Sequence, residues 1–344
     1  MHIHGRPTVA EVSLAALRHN CRRVRELVGP GVAVLAVVKA DAYGHGASDV
    51  AGAALGAGAT ALCVATVPEA LPLRREYPTA RILVMGPAGN RETADARDAR
   101  LELAISDGEV PEGVRCHLKL DTGMGRYGLS ELPAPPAEVV GLMSHLATAD
   151  CDEEFAERQL ERFREAVAPY PHLTRHVANS AAALRLPSSH FDAARCGIAL
   201  YGLSPFGTDP GDDGLEPVLR WESHLAQVKR LAPGESTGYG RRFVAEGPAW
   251  IGIVPVGYAD GFRRDLTGTE VRVAGELRRV VGTVSMDSFA VELDRELPAG
   301  TPVVLLGHGV LAEEHARVAG TINYEVVCGI ESSGTRARRT VIDA

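Results

Sequence analysis

Five places along the chain set reactive or polar side chains at the end of an apolar run. Lys39 closes Val32–Val38 and opens Lys39-Ala-Asp-Ala-Tyr43-Gly-His-Gly46. Lys119 and Arg126 bound the segment Lys119-Leu-Asp-Thr-Gly-Met-Gly-Arg126, and His145 ends a sixth run. Asn179-Ser180 follow His176–Ala178, and Arg195-Cys-Gly197-Ile198 lie within the eighth run. A lysine leaving a core either snorkels to the surface or, desolvated among positive charges, becomes a neutral amine able to attack a carbonyl. Phosphates need N–H donors and hydroxyls rather than bulk. Ser180, heading the helix-like stretch Ser-Ala-Ala-Ala-Leu-Arg-Leu, can offer both, although alone it reads equally as a helix cap. Gly197 and Ile198 add backbone N–H groups. Arg195 is always protonated and can only donate; its other reading is a salt bridge with Asp192.

These positions make sense only if something brings them together. The runs are Val32–Val38, Ala61–Ala65, Ile82–Met85, Leu101–Ile105, Val114–Leu120, Val140–Leu146, His176–Ala178 and Ala193–Leu200. Helical patterns such as Ala47–Leu55, Pro68–Arg75 and Glu153–Val167 fall between them. The first three runs and the last are almost wholly apolar, as in strands of a parallel sheet covered by helices on both faces. Eight β/α steps in about 200 residues are what a (β/α)8 barrel needs, and its catalytic groups gather at the C-terminal strand ends. From the pattern alone an open doubly wound sheet also fits.

After Leu219 the texture changes to short strands such as His224–Leu231, Ala249–Val256 and Pro302–Leu306, broken by Gly and Pro. That predicts a (β/α)8 barrel over 1–220 and a β-rich domain over 221–344, with the extreme N-terminal strand a candidate to pack with the second domain. Thr208–Gly214 reads as the linker. With a net charge of −8 and the Arg pairs at 22–23, 241–242, 263–264 and 278–279 scattered, the composition argues against a nucleic-acid partner and places those pairs at the solvated surface. There is no secretory signal pattern and no run near the roughly 18 apolar residues of a membrane span. Six dispersed cysteines without a CxxC pair fit reduced thiols in the cytoplasm, with no metal site expected; Cys116 and Cys196 read as core residues.

Nine motifs in order (AVVKADAYGHG, KLDTGMGRYG, HLATAD, ANSAAAL, RCGIALYG, STGYG, VPVGYADG, VSMD and TINYEV) resemble those of the alanine racemase family, over residues 6 to about 330. The resemblance implies a pyridoxal 5'-phosphate enzyme interconverting L- and D-alanine, an isomerase supplying D-alanine for peptidoglycan. By it Lys39 carries the cofactor and moves the α-proton on one face, while Tyr239, from the partner of a homodimer with shared sites, serves the other. Without the resemblance, Tyr239 would pass for a turn aromatic. Tyr43, Asn179, Ser180, Gly197, Ile198 and Tyr324 would hold the cofactor, largely through its phosphate. Arg195 would face the pyridine nitrogen, where many such enzymes place a carboxylate, and so weaken the electron sink and discourage transamination. His145 would lie against the ring or be a hydrogen-bonded core histidine. Arg126 would pair with the cofactor phenolate and substrate carboxylate. Lys119 would be a carbamylated lysine orienting Arg126, or else a buried partner of an Asp. Met286, from the partner, would offer its N–H to the substrate carboxylate, with Asp287 near the entrance and Tyr258 and Tyr324 narrowing it.

The chain departs from the family in three places. Phe262 is followed by Arg263-Arg264 rather than Pro-Arg, Thr283 stands where Arg is common, and ESSGTRARRTVIDA replaces the usual short helical end. A racemase of serine or another small amino acid is the first alternative. A non-catalytic pyridoxal-phosphate carrier would lack the second domain, and a related decarboxylase would carry an acid in place of Arg195.

Overall fold

A computed structural model describes residues 8–331 and 336–343. The described chain divides into two compact units, one built from Ala16–Phe206 and Pro210–Glu216, the other from the remainder. Counting strands along the chain, β1 (Thr8–Ser13) belongs to the second unit. The first unit is closed by β2 (Ala33–Val37), β3 (Ala61–Val64), β4 (Ile82–Val84), β5 (Glu102–Ile105), β6 (Arg115–Lys119), β7 (Val139–Met143), β8 (Thr174–His176) and β9 (Ala193–Cys196). Each strand is parallel to the next, and β9 returns to β2 with Leu35 opposite Arg195, so the sheet is a barrel and the open-sheet alternative falls.

The apolar runs become strands because they are covered on both faces; every residue of Ala61–Val64 is buried. Asp152 caps the helix Glu153–Val167 by accepting from Phe155 N–H at 3.0 Å. That helix buries Ala156, Leu160, Phe163 and Val167 along one stripe. Truncating Phe163 to Ala would cost about 3–5 kcal/mol. Residues Pro210–Asp213, within the expected linker, form a turn tied to the barrel, where Asp213 takes Arg185 on its carboxylate and Arg23 on its carbonyl.

The second unit holds β10 (Leu219–His224), β11 (Gln227–Leu231), β12 (Ser236–Thr237), β13 (Phe243–Val244), β14 (Ala249–Val254), β15 (Glu270–Val273), β16 (Glu276–Val281), β17 (Phe289–Leu293), β18 (Pro302–Leu306) and β19 (Ala337–Ile342). One nine-stranded sheet runs β11-β14-β17-β16-β15-β18-β10-β1-β19, and β12 pairs with β13 as a separate ribbon. The expected strand His224–Leu231 is instead the end of one strand and the whole of the next. Phe262 stacks on Phe289 with centroids 4.2 Å apart and lies 6.2 Å from the Trp221 ring, forming the aromatic centre of this core. The described part of the tail is a strand, β19, parallel to β1 along its whole length. Among the arginines expected at the solvated surface, Arg23, Arg263 and Arg278 are half-buried and hold partners: Arg23 on Asp213, Arg278 on Asp294, and Arg263 on both Asp265 and Glu325. Among the described residues no helix is long and apolar enough to cross a membrane.

Candidate active site

The residues after Lys39 leave ordinary backbone conformation. Ala40, Asp41, Ala42 and Tyr43 have φ between 50° and 56°, one left-handed turn of non-glycine residues. Each costs about 1–2 kcal/mol, so the turn persists only where its surroundings impose it. Glu69 accepts from Ala40 N–H at 2.8 Å, Asp41 accepts from Ala47 N–H at 2.8 Å, and Ala42 N–H donates to the Val38 carbonyl at 2.9 Å. Glu69 is itself fixed by a capping box with Thr66. The outcome is a half-buried Lys39 at the C-terminal end of β2, and a buried Tyr43 ring 4.9 Å from Tyr201.

Beside this turn lies a donor cup. Asn179 is the helix cap, its side chain accepting from Ala182 N–H at 3.0 Å. That frees the Ser180 hydroxyl, which receives the N–H groups of Gly197 at 3.1 Å and Ala199 at 3.4 Å. A side chain at 197 would bring its Cβ within 2.5 Å of the Tyr43 hydroxyl, so glycine is what lets that hydroxyl approach the N–H groups. Ile198, buried, follows directly. The cup consists of hydroxyl and amide donors at the end of the last strand, a composition that suits a phosphate.

Arg195 is buried and held by acceptors alone. Nη1 gives to His176 Nδ1 at 2.7 Å and the His176 carbonyl at 2.8 Å; Nη2 gives to the Ser144 carbonyl at 2.7 Å and His145 Nδ1 at 3.3 Å. Asp192 takes Arg175 instead, at 2.8 and 2.9 Å, so the Asp192–Arg195 alternative is excluded. Burial, then the positive charges of Arg195, Arg126, Lys119 and Lys39, push His145 down to about 3 and keep it neutral. Burial, then Arg126 and Arg195, bring Lys119 down to about 8. Burial lowers Arg195 to about 10, which leaves it charged at neutral pH. The Asp121 carboxylate is spent on the N–H groups of Gly123, Met124, Gly125 and Arg126, which shapes the loop bearing the exposed Arg126. Four cations thus act on one neutral histidine, an electrostatic setting for an anionic, carbonyl-bearing ligand. Glu69, Ser144 and His176 were not singled out from sequence: a capping residue and two side chains within strand runs carry no local signal of a role.

In the second unit, Tyr239 stands in a turn after β12 and is 73% exposed, with its carbonyl held by the Thr283 hydroxyl at 2.8 Å. Tyr258 N–H donates to the Ser285 carbonyl and Ala259 N–H to the Met286 carbonyl, both at 3.1 Å. Gly257 allows that closeness, since a Cβ there would meet both carbonyls at 2.3 Å. Tyr239, Tyr258, Met286 and Asp287 are exposed on three turns, the first tied to Thr283 and the second to Ser285 and Met286. Tyr324 is half-buried on the helix Asn323–Cys328.

A (β/α)8 barrel with an amine, a guanidinium and an anion cup at its C-terminal strand ends, followed by a β-rich unit, is the architecture of a barrel enzyme. Residues 12–205 match the model of the alanine racemase N-terminal domain and residues 218–340 that of its C-terminal domain. The chain is 41% identical to alanine racemase 1 of Bacillus subtilis, covering 95% of this chain and 92% of that one, and 40% identical to the alanine racemase of Streptomyces coelicolor, covering 97% and 95%. Among solved structures, the biosynthetic alanine racemase of Pseudomonas aeruginosa superposes with a TM-score of 0.90 at 37% identity, covering 98% of this chain and all of that one. The alanine racemase from a D-cycloserine-producing Streptomyces lavendulae gives 0.89 at 35%, covering 99% and 98%. The chain belongs to the alanine racemase family, whose members are isomerases acting on amino acids.

Proposed function

We propose that this protein interconverts L- and D-alanine with pyridoxal 5'-phosphate as cofactor, acting as a cytoplasmic homodimer that supplies D-alanine for peptidoglycan. The observation that carries the reading is the meeting, at one end of the barrel, of the Lys39 amine, a cup of hydroxyls and backbone N–H groups and an Arg195 held by acceptors. The barrel residues fit the cofactor: Ser180, Gly197, Ile198 and Tyr43 for the phosphate, Asn179 as the cap that orients Ser180, Arg195 for the ring nitrogen and His145 for the ring face; Tyr324, on the second unit, is assigned to the phosphate by the family resemblance alone. When bound, the cofactor supplies the electron sink that makes the substrate α-proton labile.

The protein's own groups do the rest. Lys39 holds the cofactor at rest and, once displaced by substrate, takes or returns the α-proton on one face. Tyr239 of the partner subunit works on the opposite face, and its exposure within its own unit is consistent with a role outside that unit. Arg195, a permanent donor, cannot protonate the ring nitrogen fully and so limits charge delocalisation. Arg126 binds the substrate carboxylate, Lys119 (as a carbamate) orients Arg126, and the N–H of Met286 of the partner subunit also receives that carboxylate, with Asp287 and Tyr258 at a small entrance. Serine racemisation is the nearest alternative, and a non-catalytic carrier the next. Incubating the purified protein and added cofactor separately with L-alanine and L-serine, then resolving enantiomers, tests the reading. Equal mixtures formed fastest from alanine support it, serine preference moves the substrate, and a bound cofactor with no racemisation points to a carrier.

A further inference from the structure

Arg195 is the last member of a polar chain that runs through the barrel interior. His176 Nδ1 receives the Arg195 guanidinium at 2.7 Å, while His176 Nε2 lies 2.8 Å from His117 Nδ1. His117 Nε2 lies 3.0 Å from Glu102 Oε2. Arg81 then grips Glu102 with two donors, at 3.1 and 3.0 Å, and Arg115 adds a third at 3.2 Å. Glu102, His117, His176 and Arg195 are all buried, on β5, β6, β8 and β9.

Proton bookkeeping gives the chain one direction. A guanidinium has no acceptor, so His176 Nδ1 must be bare. Burial keeps His176 neutral, which puts its one proton on Nε2, donated to His117. His117 Nδ1 is therefore bare in turn, and its proton sits on Nε2, donated to Glu102. Only an acceptor can end such a sequence. Glu102 is one: burial alone would raise its pKa, but hydrogen bonds from His117 and Arg81 bring it down to about 2.

We propose that Glu102, at the start of β5, is a positioning residue for the reaction: through His117 and His176 it fixes which imidazole nitrogen Arg195 meets and thereby the aim of the guanidinium. The inference rests on the proposed role of Arg195 toward the cofactor ring and names a residue that acts on it from a distance. Interior polar residues of a barrel need only satisfy one another; this set is also ordered, with one arrangement of protons compatible with both ends. If the acid is removed, His117 is free to take its other tautomer. In that form His117 donates from Nδ1 to His176 Nε2, which forces the His176 proton onto Nδ1, and Arg195 loses one of its two shortest acceptors.

The direct test is histidine-selective 15N NMR of the wild-type holoenzyme, reading tautomers from two-bond correlations. His117 and His176 are expected as neutral Nε2–H forms from pH 5.5 to 9, about the range in which an ordinary histidine changes charge. A Nδ1–H signal from either, or titration of either in that range, overturns the proposal without any variant having to fold. In Glu102→Leu and the milder Glu102→Gln, Nδ1–H signals should appear and kcat should fall about tenfold, with KM and cofactor affinity within about twofold. Unchanged tautomers and kcat in both variants would overturn it equally. Failure of the function itself would look different: a wild-type protein that racemises nothing, with its tautomers as stated.

Discussion

The Arg336 guanidinium donates to the Asp287 carboxylate at 2.5 Å while holding both oxygens of Asp260, at 2.9 and 3.2 Å. Asp260 in turn accepts the Gly257 N–H at 2.9 Å and, on its carbonyl, the Glu331 N–H at 3.0 Å. Three segments distant in sequence, 257–261, 285–288 and the tail, are tied at one side chain. The tail that departs from the family pattern therefore fastens the turn carrying Met286 and Asp287. If that turn receives the substrate carboxylate, Arg336→Ala should raise KM for alanine about tenfold and leave kcat within about twofold, because binding and not proton transfer is disturbed. Arg336→Lys should recover little, since an ammonium cannot fork across two carboxylates. Steady-state kinetics of both variants decides: a fall in kcat at constant KM would remove Arg336 from this role.

Gly197→Ala should spare the fold and damage the cup. The backbone there has a negative φ, so alanine is not forced into the left-handed region that only glycine adopts freely. The added methyl instead meets the Tyr43 hydroxyl at 2.5 Å, and Tyr43 is a buried ring packed on Tyr201, not a mobile tip. Cofactor affinity, read by absorbance titration of the apo-protein, should fall about 10- to 100-fold, with the apo-protein losing about 1–3 kcal/mol to overpacking but still folding. Undiminished affinity would place the phosphate elsewhere.

Lys119 offers a pH test. Its amine is held at about 8 against an ordinary 10.5, mainly by burial and then by Arg126. Because the folded value is the lower, the unfolded chain binds the extra proton: between 10.5 and about 8 falling pH costs stability, and below 8 the cost is constant. The same shift leaves a neutral amine near pH 8, where it can add carbon dioxide to give a carbamate and release a proton. With 13C-bicarbonate at pH 8.5, wild-type protein should show a carbamate carbon that Lys119→Met lacks. Identical spectra would leave Lys119 a plain amine.

Acid should unfold the barrel in two stages. His117 and His176 are held below their ordinary 6.5 by burial, so stability begins to fall as pH drops through that value and the unfolded chain takes up protons. Glu102, lowered from 4.5 to about 2, contributes stability that is full above 4.5 and is lost as pH falls toward 2. That contribution is roughly 3 kcal/mol at neutral pH. Urea unfolding from pH 7 to 3 should therefore be steep for wild type and visibly flatter below 4.5 for Glu102→Gln. Parallel curves would mean the carboxylate is not selectively stabilised.

Much of this was legible beforehand because parallel barrel strands are short, apolar and buried on both faces. Ile82–Val84 and Ala61–Val64 announce themselves, and the residues leaving other runs, Lys39 after Val32–Val38 and Asn179-Ser180 after His176–Ala178 among them, mark the site. What stayed hidden depends on tertiary register. Nothing in Glu102-Leu-Ala-Ile or Arg-Cys-His117-Leu-Lys says that a glutamate and a histidine on adjacent strands face each other inside a barrel, since alternation is masked when both faces are buried. Asp192 beside Arg195 in sequence suggested an ion pair, yet residues three apart spanning a strand start do not meet as they would on a helix, and Arg175 on the neighbouring strand takes the acid. The tail was opaque for a similar reason: Ala-Arg-Arg-Thr-Val-Ile reads as weakly patterned until β1 supplies an edge to pair with.

The last prediction concerns Tyr239. Its side chain is 73% exposed in its unit, whereas its backbone is fixed, the carbonyl by Thr283 and the preceding Gly238 closely against Thr283 N–H. A hydroxyl presented on so well-held a backbone is suited to reach a neighbouring molecule. If it is the acid or base for one face, Tyr239→Phe removes that proton transfer and leaves Lys39 intact. The variant should bind cofactor normally and still exchange the α-hydrogen of one alanine enantiomer with deuterated solvent, while exchange of the other and net racemisation fall by about 10²-fold or more. Mixing Tyr239→Phe with Lys39→Ala subunits should restore activity in the hybrid dimer, since one of its two sites then carries both wild-type groups. Equal loss for both enantiomers would make Tyr239 a binding group, and no complementation would confine each site to a single chain.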